Sequence, residues 1–276
     1  MDRGLDKKAL ITFYAITLPV SFLIEVLYIF GGNELWMSLL MWVPGIVGII
    51  CAKKFYPKQK ALGLLSKVKP LYIILGIIIP VIYLVPSYLI SWGILKDPTK
   101  GIDSLPASAL GEMGASISGI IFVIVSFVPM IFISAMTAAG EEIGWRGFAY
   151  PVLERTFGPV KAVLINGLIW ALWHVPMIIG GVYQSQVNYV YGVIMFIVEV
   201  MIITVLFCWT RSVSGSVIPA ILLHSVHNLV DQIYLQPLST NDKVPYFAGE
   251  QGFITILFGA VIVAVIILRW RKTRTA

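Results

Sequence analysis

The stretch 140–153 reads GEEIGWRGFAYPVL and closes an apolar run that begins near residue 116. It sets two adjacent carboxylates, Glu141 and Glu142, and one cation, Arg146, at the end of that run. Ionisable groups inside a long apolar segment are costly and need a partner or a function. The segment itself shows no period-two alternation, so it is a helix and not a barrel strand.

Working outward, apolar runs long enough to cross a hydrocarbon core of about 30 Å recur along the chain. They cover residues 10–30, 36–52, 71–95, 116–150, 163–179, 189–209, 216–234 and 253–270. The second is short and carries Pro44. The expected fold is therefore all-α, a polytopic helical bundle of about eight membrane helices forming one integral domain over 1–276, with core helices over 115–235. No repeat, low-complexity tract or linker divides it.

The composition agrees. Of 276 residues, 58% are hydrophobic and 12% charged, with mean hydropathy +0.90, whereas soluble domains carry roughly 25% charged residues. The net charge of +6 could serve a nucleic acid, but in a membrane protein it belongs to cytoplasmic loops; no nucleic-acid partner is expected. Cys51 and Cys208 have neither disulfide nor metal-site spacing and read as packing residues. The N-terminal MDRGLDKK precedes an apolar run too long for a signal-peptide core, so the first segment is expected to remain a helix.

Loop charge tests the span count. The termini and even-numbered connections hold Arg3, Lys7, Lys8, Lys53, Lys54, Lys58, Lys60, Lys67, Lys69, Arg146, Arg155, Lys161, Arg211, Arg269, Arg271, Lys272 and Arg274, or 17 of the 20 basic residues. Lys96, Lys100 and Lys243 fall on the other face. This segregation predicts an even number of spans with both termini cytoplasmic. The basic connection 53–69 interleaves lysines with Phe55, Tyr56, Leu62, Leu64 and Leu65, which suits either a topology anchor or a segment lying on anionic headgroups.

Depth then gathers the polar residues of the later spans. If the fourth helix ends before Pro151, Glu141 lies about 15 Å from its cytoplasmic end at ~1.5 Å per residue. His174, counted from Lys161, and His224, counted from Arg211, each lie about 20 Å in. Glu142 and Arg146 have the favourable i, i+4 order for an ion pair. Glu141 is rotated about 100° away and has no basic neighbour at four residues, which leaves it free to act as a base. His224 and Asn228 share one face and can donate hydrogen bonds to an oxyanion, with His227 bordering them.

Each feature has a bland alternative: a packing ion pair for Glu142 and Arg146, a core histidine beside Pro176 for His174, interhelical glue for His224 and Asn228. All three histidines of the chain nevertheless fall in two of these helices, and the bland alternatives must hold independently. Glu25 and Glu199 lie inside spans without partner spacing and stay outside the candidate site.

Three ordered blocks, E141-E142-x-x-x-R146, W170-x-x-x-H174 and H224-x-x-x-N228, resemble the family of CAAX proteases and bacteriocin-processing enzymes, the CPBP intramembrane proteases. GWRGFAYPVL, LIWALWHVP and GSVIPAILLHSVHN around them are similar to that family too, over about residues 115–235. The resemblance implies an intramembrane endopeptidase opening to the cytoplasm, in which Glu141 and His174 activate water, His224 and Asn228 hold the oxyanion, and Glu142 and Arg146 shape the site. It implies a membrane-associated protein or peptide as substrate, with a prenylated CAAX-type C-terminus one member of that class. The compact chain suits a prokaryotic plasma membrane. Trp170 stands where the family often has phenylalanine, a harmless departure, and His227 is an additional imidazole.

The family has been labelled metallopeptidase, and zinc on Glu141, His174 and His224 is conceivable chemistry. Without an H-E-x-x-H spacing, the preferred expectation is a metal-free glutamate mechanism with no cofactor. The competing function class is a non-catalytic immunity or scaffold protein, or a transporter with a midplane polar site. No small-x-x-x-small face marks a dimer seam, and oligomeric state is not legible.

Overall fold

A computed structural model describes residues 3–57, 62–114 and 116–275, with side chains given at all of these except 109 and 269–275. The lysines at 58 and 60 and the basic side chains from 269 to 274 lie outside the described residues. The chain is all-helical, 83% helix with no strand among the described residues. Its helices are α1 (Arg3–Gly31), α2 (Glu34–Phe55), α3 (Pro70–Leu95), α4 (Leu105–Leu110), α5 (Gly119–Glu142), α6 (Tyr150–Phe157), α7 (Pro159–Ile179), α8 (Tyr189–Ser214), α9 (Ile218–Asn228) and α10 (Phe253–Thr275). Six stretches are long and apolar enough to span a bilayer: α1, α2, α3, the continuous Gly119–Phe157, α7 and α8. The remaining two expected spans correspond to α9, which is only 11 residues before it changes geometry, and to α10. The chain is an integral membrane protein.

Local chemistry fixes the ends. Asn33 and Asn188 cap α2 and α8 by accepting from Leu35 N at 2.9 Å and Val190 N at 3.0 Å. Asp103 Oδ1 accepts from Gly119 N at 2.7 Å, holding the start of α5. Gly158 and Gly215 supply positive φ where α6 and α8 stop. Pro44 lies within a continuous α2, because neighbouring helices can compensate a proline in a membrane bundle. The outward face of α5 is apolar and exposed, with Ile120, Ile124, Val128 and Phe132 among its side chains, the pattern of a lipid-facing surface.

Two expectations are corrected. The helix carrying the motif does not end before Pro151: α5 passes through a π-helical stretch, Ile143–Ala149, into α6 and stops at Phe157. The wider turn tolerates the missing proline N–H, and side chains take up its carbonyls. Asn166 Nδ2 donates to Trp145 O at 3.1 Å and Arg211 Nε to Arg146 O at 3.1 Å. Glu141 is thus about 24 Å from the helix end at ~1.5 Å per residue. Arg211, level with Arg146, lies inside the bundle, and His224 is only about 9 Å from the start of α9 at the same rise.

The described part of the 53–69 connection docks on protein: Gly63 O accepts from Ser216 Oγ at 2.9 Å, beside the α8–α9 turn. Tight backbone approach explains the glycines of the opening motif. A Cβ on Gly140 would stand 2.5 Å from Met41 O, and one on Gly144 2.4 Å from the Pro44 carbonyl carbon. Their four-residue spacing lets α2 lie against α5 within the chain.

At the opposite end, Asp97 pins the loop before α10. It accepts from Thr240 Oγ1 at 2.5 Å and from the backbone N–H groups of Thr99 at 2.9 Å and Asn241 at 3.0 Å. Burial pushes this carboxyl up, but the hydrogen bonds from Thr240, Asn241 and Thr99 outweigh it and hold it below its ordinary 3.8. Because the folded value is the lower one, the stabilisation is complete above 3.8 and disappears as pH falls through the folded value. The melting-temperature advantage of wild type over Asp97→Asn in detergent is therefore expected to be flat near neutrality and to shrink on acidification below that range; an advantage that grows in acid would contradict it.

Candidate active site

Glu141 and Glu142 end α5, His174 comes from α7, and His224 and Asn228 from α9. Crossing hydrogen bonds lock the first and last of these helices together, Ser225 Oγ to Ile131 O at 2.7 Å and Ser134 Oγ to Ser225 O at 3.1 Å. Glu141, His174, His224 and Asn228 all line one cleft of about 290 Å³, whose other walls include Met41, Met130, Thr137, Trp173 and Met177. This is the low end of the size range of small-molecule sites, mostly apolar with a few convergent polar groups. The three ionisable members are 2%, 6% and 6% exposed, so water reaches them through the cleft and little else.

Glu142 and Arg146 are both fully buried and paired, with Nη1 donating to Oε1 at 2.9 Å. Arg146 Nη2 also donates to Thr204 Oγ1 at 3.2 Å, and its guanidinium lies 3.9 Å from the Trp170 ring centroid and 4.5 Å from that of Phe207. The flat, weakly hydrated guanidinium suits such a sandwich better than an ammonium would.

The ring nitrogens of both histidines can be assigned from their partners. His224 Nδ1 lies 3.0 Å from Glu142 Oε1 and His174 Nδ1 2.9 Å from Trp170 O. A carboxylate and a carbonyl only accept, so each Nδ1 carries a proton and donates. Nε2 is then the ring nitrogen left for the cleft in both. Two such nitrogens and a carboxylate make a donor set compatible with zinc. The described residues that bring three metal-binding atoms within 4.8 Å of one another are, however, a different group, His227, Asp231 and Glu250.

Trp170 contributes more than its spacing from His174 suggested. Its indole Nε1 donates to Glu141 Oε2 at 2.8 Å, and its ring packs edge-on against His174 and His224 at 5.8 and 5.7 Å. The Trp–x–x–x–His block therefore delivers a donor that orients the carboxylate as well as an imidazole. Trp170→Phe keeps the ring packing and removes the donor. A hydrogen bond to a charged group is worth roughly 1.5–3 kcal/mol, and a turnover loss of about tenfold with KM little changed is expected of a peptidase at this site. A variant with unchanged turnover would mean that the indole does not orient Glu141 productively.

His227 does not join the cleft. Its Nδ1 meets Tyr83 OH at 2.5 Å and its Nε2 faces Glu250 Oε1 at 3.4 Å. Glu199, also outside the sequence-derived site, lines a second, narrower space with His227 and Glu250 that reaches His174 and His224. Glu25 is buried with Oε1 unpaired and stands apart from the cleft walls. Tyr183, which spacing did not single out, packs its ring 5.6 Å from His174 and donates to Glu250 Oε2 at 2.5 Å. Both cysteines are free and buried.

Residues 122–230 match the family model described as Type II CAAX prenyl endopeptidase Rce1-like. A curated relative, CAAX prenyl protease 2 of Methanococcus maripaludis, is 29% identical over 141 residues, covering 49% of this chain and 49% of that protein. The chain thus aligns with about half the length of that relative. The glutamate, histidine and asparagine blocks all fall inside the matched segment, which is similar to the CAAX protease family.

Proposed function

We propose that this chain is an intramembrane endopeptidase that hydrolyses a peptide bond of a membrane-associated protein or peptide, with a lipidated, CAAX-type C-terminal segment as the favoured substrate. The observation that carries this reading is the meeting of Glu141, His174, His224 and Asn228, drawn from three helices, on one apolar cleft. A packing ion pair or a core histidine gives no reason for all four to share an open face.

In the proposed mechanism Glu141 takes a proton from a water molecule whose oxygen attacks the scissile carbonyl carbon, while His174 Nε2 accepts that water's second hydrogen bond. The carbonyl oxygen becomes an oxyanion and accepts from Asn228 Nδ2–H and His224 Nε2–H. His224 donates there when its ring holds both protons, with Glu142 as counter-ion on Nδ1. Collapse breaks the C–N bond, and the proton on Glu141 passes to the leaving amine. Arg146 keeps Glu142 an acceptor and so fixes the His224 ring. No metal is required by this sequence of steps; a zinc ion on Glu141, His174 and His224 would supply Lewis acidity at the same carbonyl. The segregation of basic residues supports cytoplasmic termini, in a prokaryotic plasma membrane such as that of the archaeal relative.

The test is incubation of the purified full chain in lipid vesicles with a prenylated C-terminal peptide and its unprenylated counterpart, with products read by mass spectrometry. Release of a C-terminal fragment from the prenylated peptide alone is expected. Equal cleavage of both would remove the lipid from the substrate definition, and cleavage of neither by folded protein would overturn the assignment.

A further inference from the structure

Beyond the cleft, where α9 passes into a second π-helical stretch, Leu229–Leu235, a second cluster of chemistry-bearing side chains is closed off from solvent. His227, Asp231 and Glu250 are 4%, 0% and 4% exposed, and one ligating atom of each lies within 4.8 Å of the others. Glu199 of α8, 1% exposed, lines the same space as His227 and Glu250.

Three carboxyl groups and one imidazole are therefore packed together in a membrane protein's interior, and the residues lining the space include no lysine or arginine. Their oxygens are not all satisfied. Asp231 Oδ2 and both oxygens of Glu199 have no hydrogen-bond partner. Buried carboxyl oxygens left unpaired are expensive, and like charges at this separation call for a shared proton or a bound cation.

The outer partners are arranged as they would be around a ligand set. Tyr83 OH holds His227 Nδ1 at 2.5 Å, Tyr88 OH donates to Asp231 Oδ1 at 2.7 Å, and Tyr183 OH donates to Glu250 Oε2 at 2.5 Å. Metal-binding histidines and carboxylates are oriented by such contacts on their non-ligating atoms. The 3.4 Å between His227 Nε2 and Glu250 Oε1 is long for a charged hydrogen bond. It equals the separation, about 3.4 Å, of two ligands each ~2.1 Å from a tetrahedral ion.

We propose that His227, Asp231 and Glu250, with Glu199 beside them, form a buried site for a first-row divalent cation, next to the hydrolytic cleft but built on none of its four polar residues. One imidazole with carboxylate oxygens suits zinc, manganese or iron(II), whereas magnesium and calcium prefer oxygen alone. Such an ion ties the loop at Glu250 to the helix bearing His224 and Asn228. Through Glu250 and Tyr183 it also braces the His174 ring. It is a positioning element and touches no reacting atom. Zinc content by itself therefore says nothing about the cleft; the residues on which it depends do.

The experiment uses the purified full chain, stripped with chelator and dialysed into metal-free detergent buffer. Titration with zinc, and separately with cobalt(II), should restore about one equivalent per chain. It should raise the melting temperature by about 5 °C or more and, for cobalt, give a visible ligand-field band. The combined Asp231→Asn, Glu250→Gln variant is expected to lose the bound ion, the thermal shift and the band, while Glu141→Gln and His174→Asn retain all three. If the combined variant does not fold, His227→Gln takes its place. The wild-type titration decides without any variant, since stripped protein that gains neither cation nor thermal stability overturns the site. Retention that follows Glu141 and His174 instead of Asp231 and Glu250 overturns it equally.

Discussion

Glu141→Gln is expected to reduce peptide-bond hydrolysis by about a thousandfold or more, within the range of 10²–10⁴ that a positioned general base contributes. The substitution preserves shape and keeps an oxygen to accept from Trp170 Nε1, now at 2.8 Å, so the cleft and the α5–α7 contact should survive. An amide cannot take the proton of the attacking water, and it cannot hand one to the leaving amine. The loss should therefore appear in turnover with KM nearly unchanged. Product formation is followed by mass spectrometry alongside the melting temperature of the same preparation. A variant that folds and cleaves within about tenfold of wild type would remove Glu141 from the chemistry. A variant that loses both cleavage and a stoichiometric cation would move the metal into the cleft.

What sequence could show follows from how far apart the interacting residues stand along the chain. Glu142 and Arg146 were legible because four residues of helix put them on one face, and Glu141 stood out by lacking such a neighbour. His224 and Asn228 were legible for the same reason. Depth was less legible, because Pro151 does not end its helix and Arg211 does not mark a surface. The π-helical stretch carries the helix on to Phe157, and Arg211 reaches inward to the Arg146 carbonyl. Neither departure disturbs the convergence, because contacts between helices, not distances to their ends, set it.

Contacts made only by crossing helices were out of reach. Trp170 and Glu141 are 29 positions apart, Tyr88 and Asp231 143, and Tyr183 and Glu250 67; none has a spacing that announces it. The glycines are an intermediate case. Gly140 and Gly144 carry the small-x-x-x-small signal in plain view, and their use against Met41 and Pro44 of α2 could have been anticipated from it.

Arg146→Met should be the most destabilising single change in the candidate site. It leaves the Glu142 carboxylate fully buried without its cation, while Oε2 of that residue already lacks a partner. Removing one member of a buried pair costs about 3–5 kcal/mol, which for a chain of this size is a fall of roughly 10 °C in melting temperature. Both side chains are 0% exposed, so water does not screen the loss. The double variant Glu142→Gln, Arg146→Met removes the stranded charge along with its partner and is expected to recover most of that stability, because a buried pair can be replaced by neutral groups of similar volume at little net cost. Activity should not recover with it: the amide oxygen introduced by Glu142→Gln could still accept from His224 Nδ1, but the anionic partner that supports a doubly protonated ring would be gone. Thermal unfolding of the two single variants and the double variant closes a double-mutant cycle. Additive losses would show that the pair does not act as a unit, whereas recovered stability without recovered turnover would separate its role in folding from its role in orienting His224.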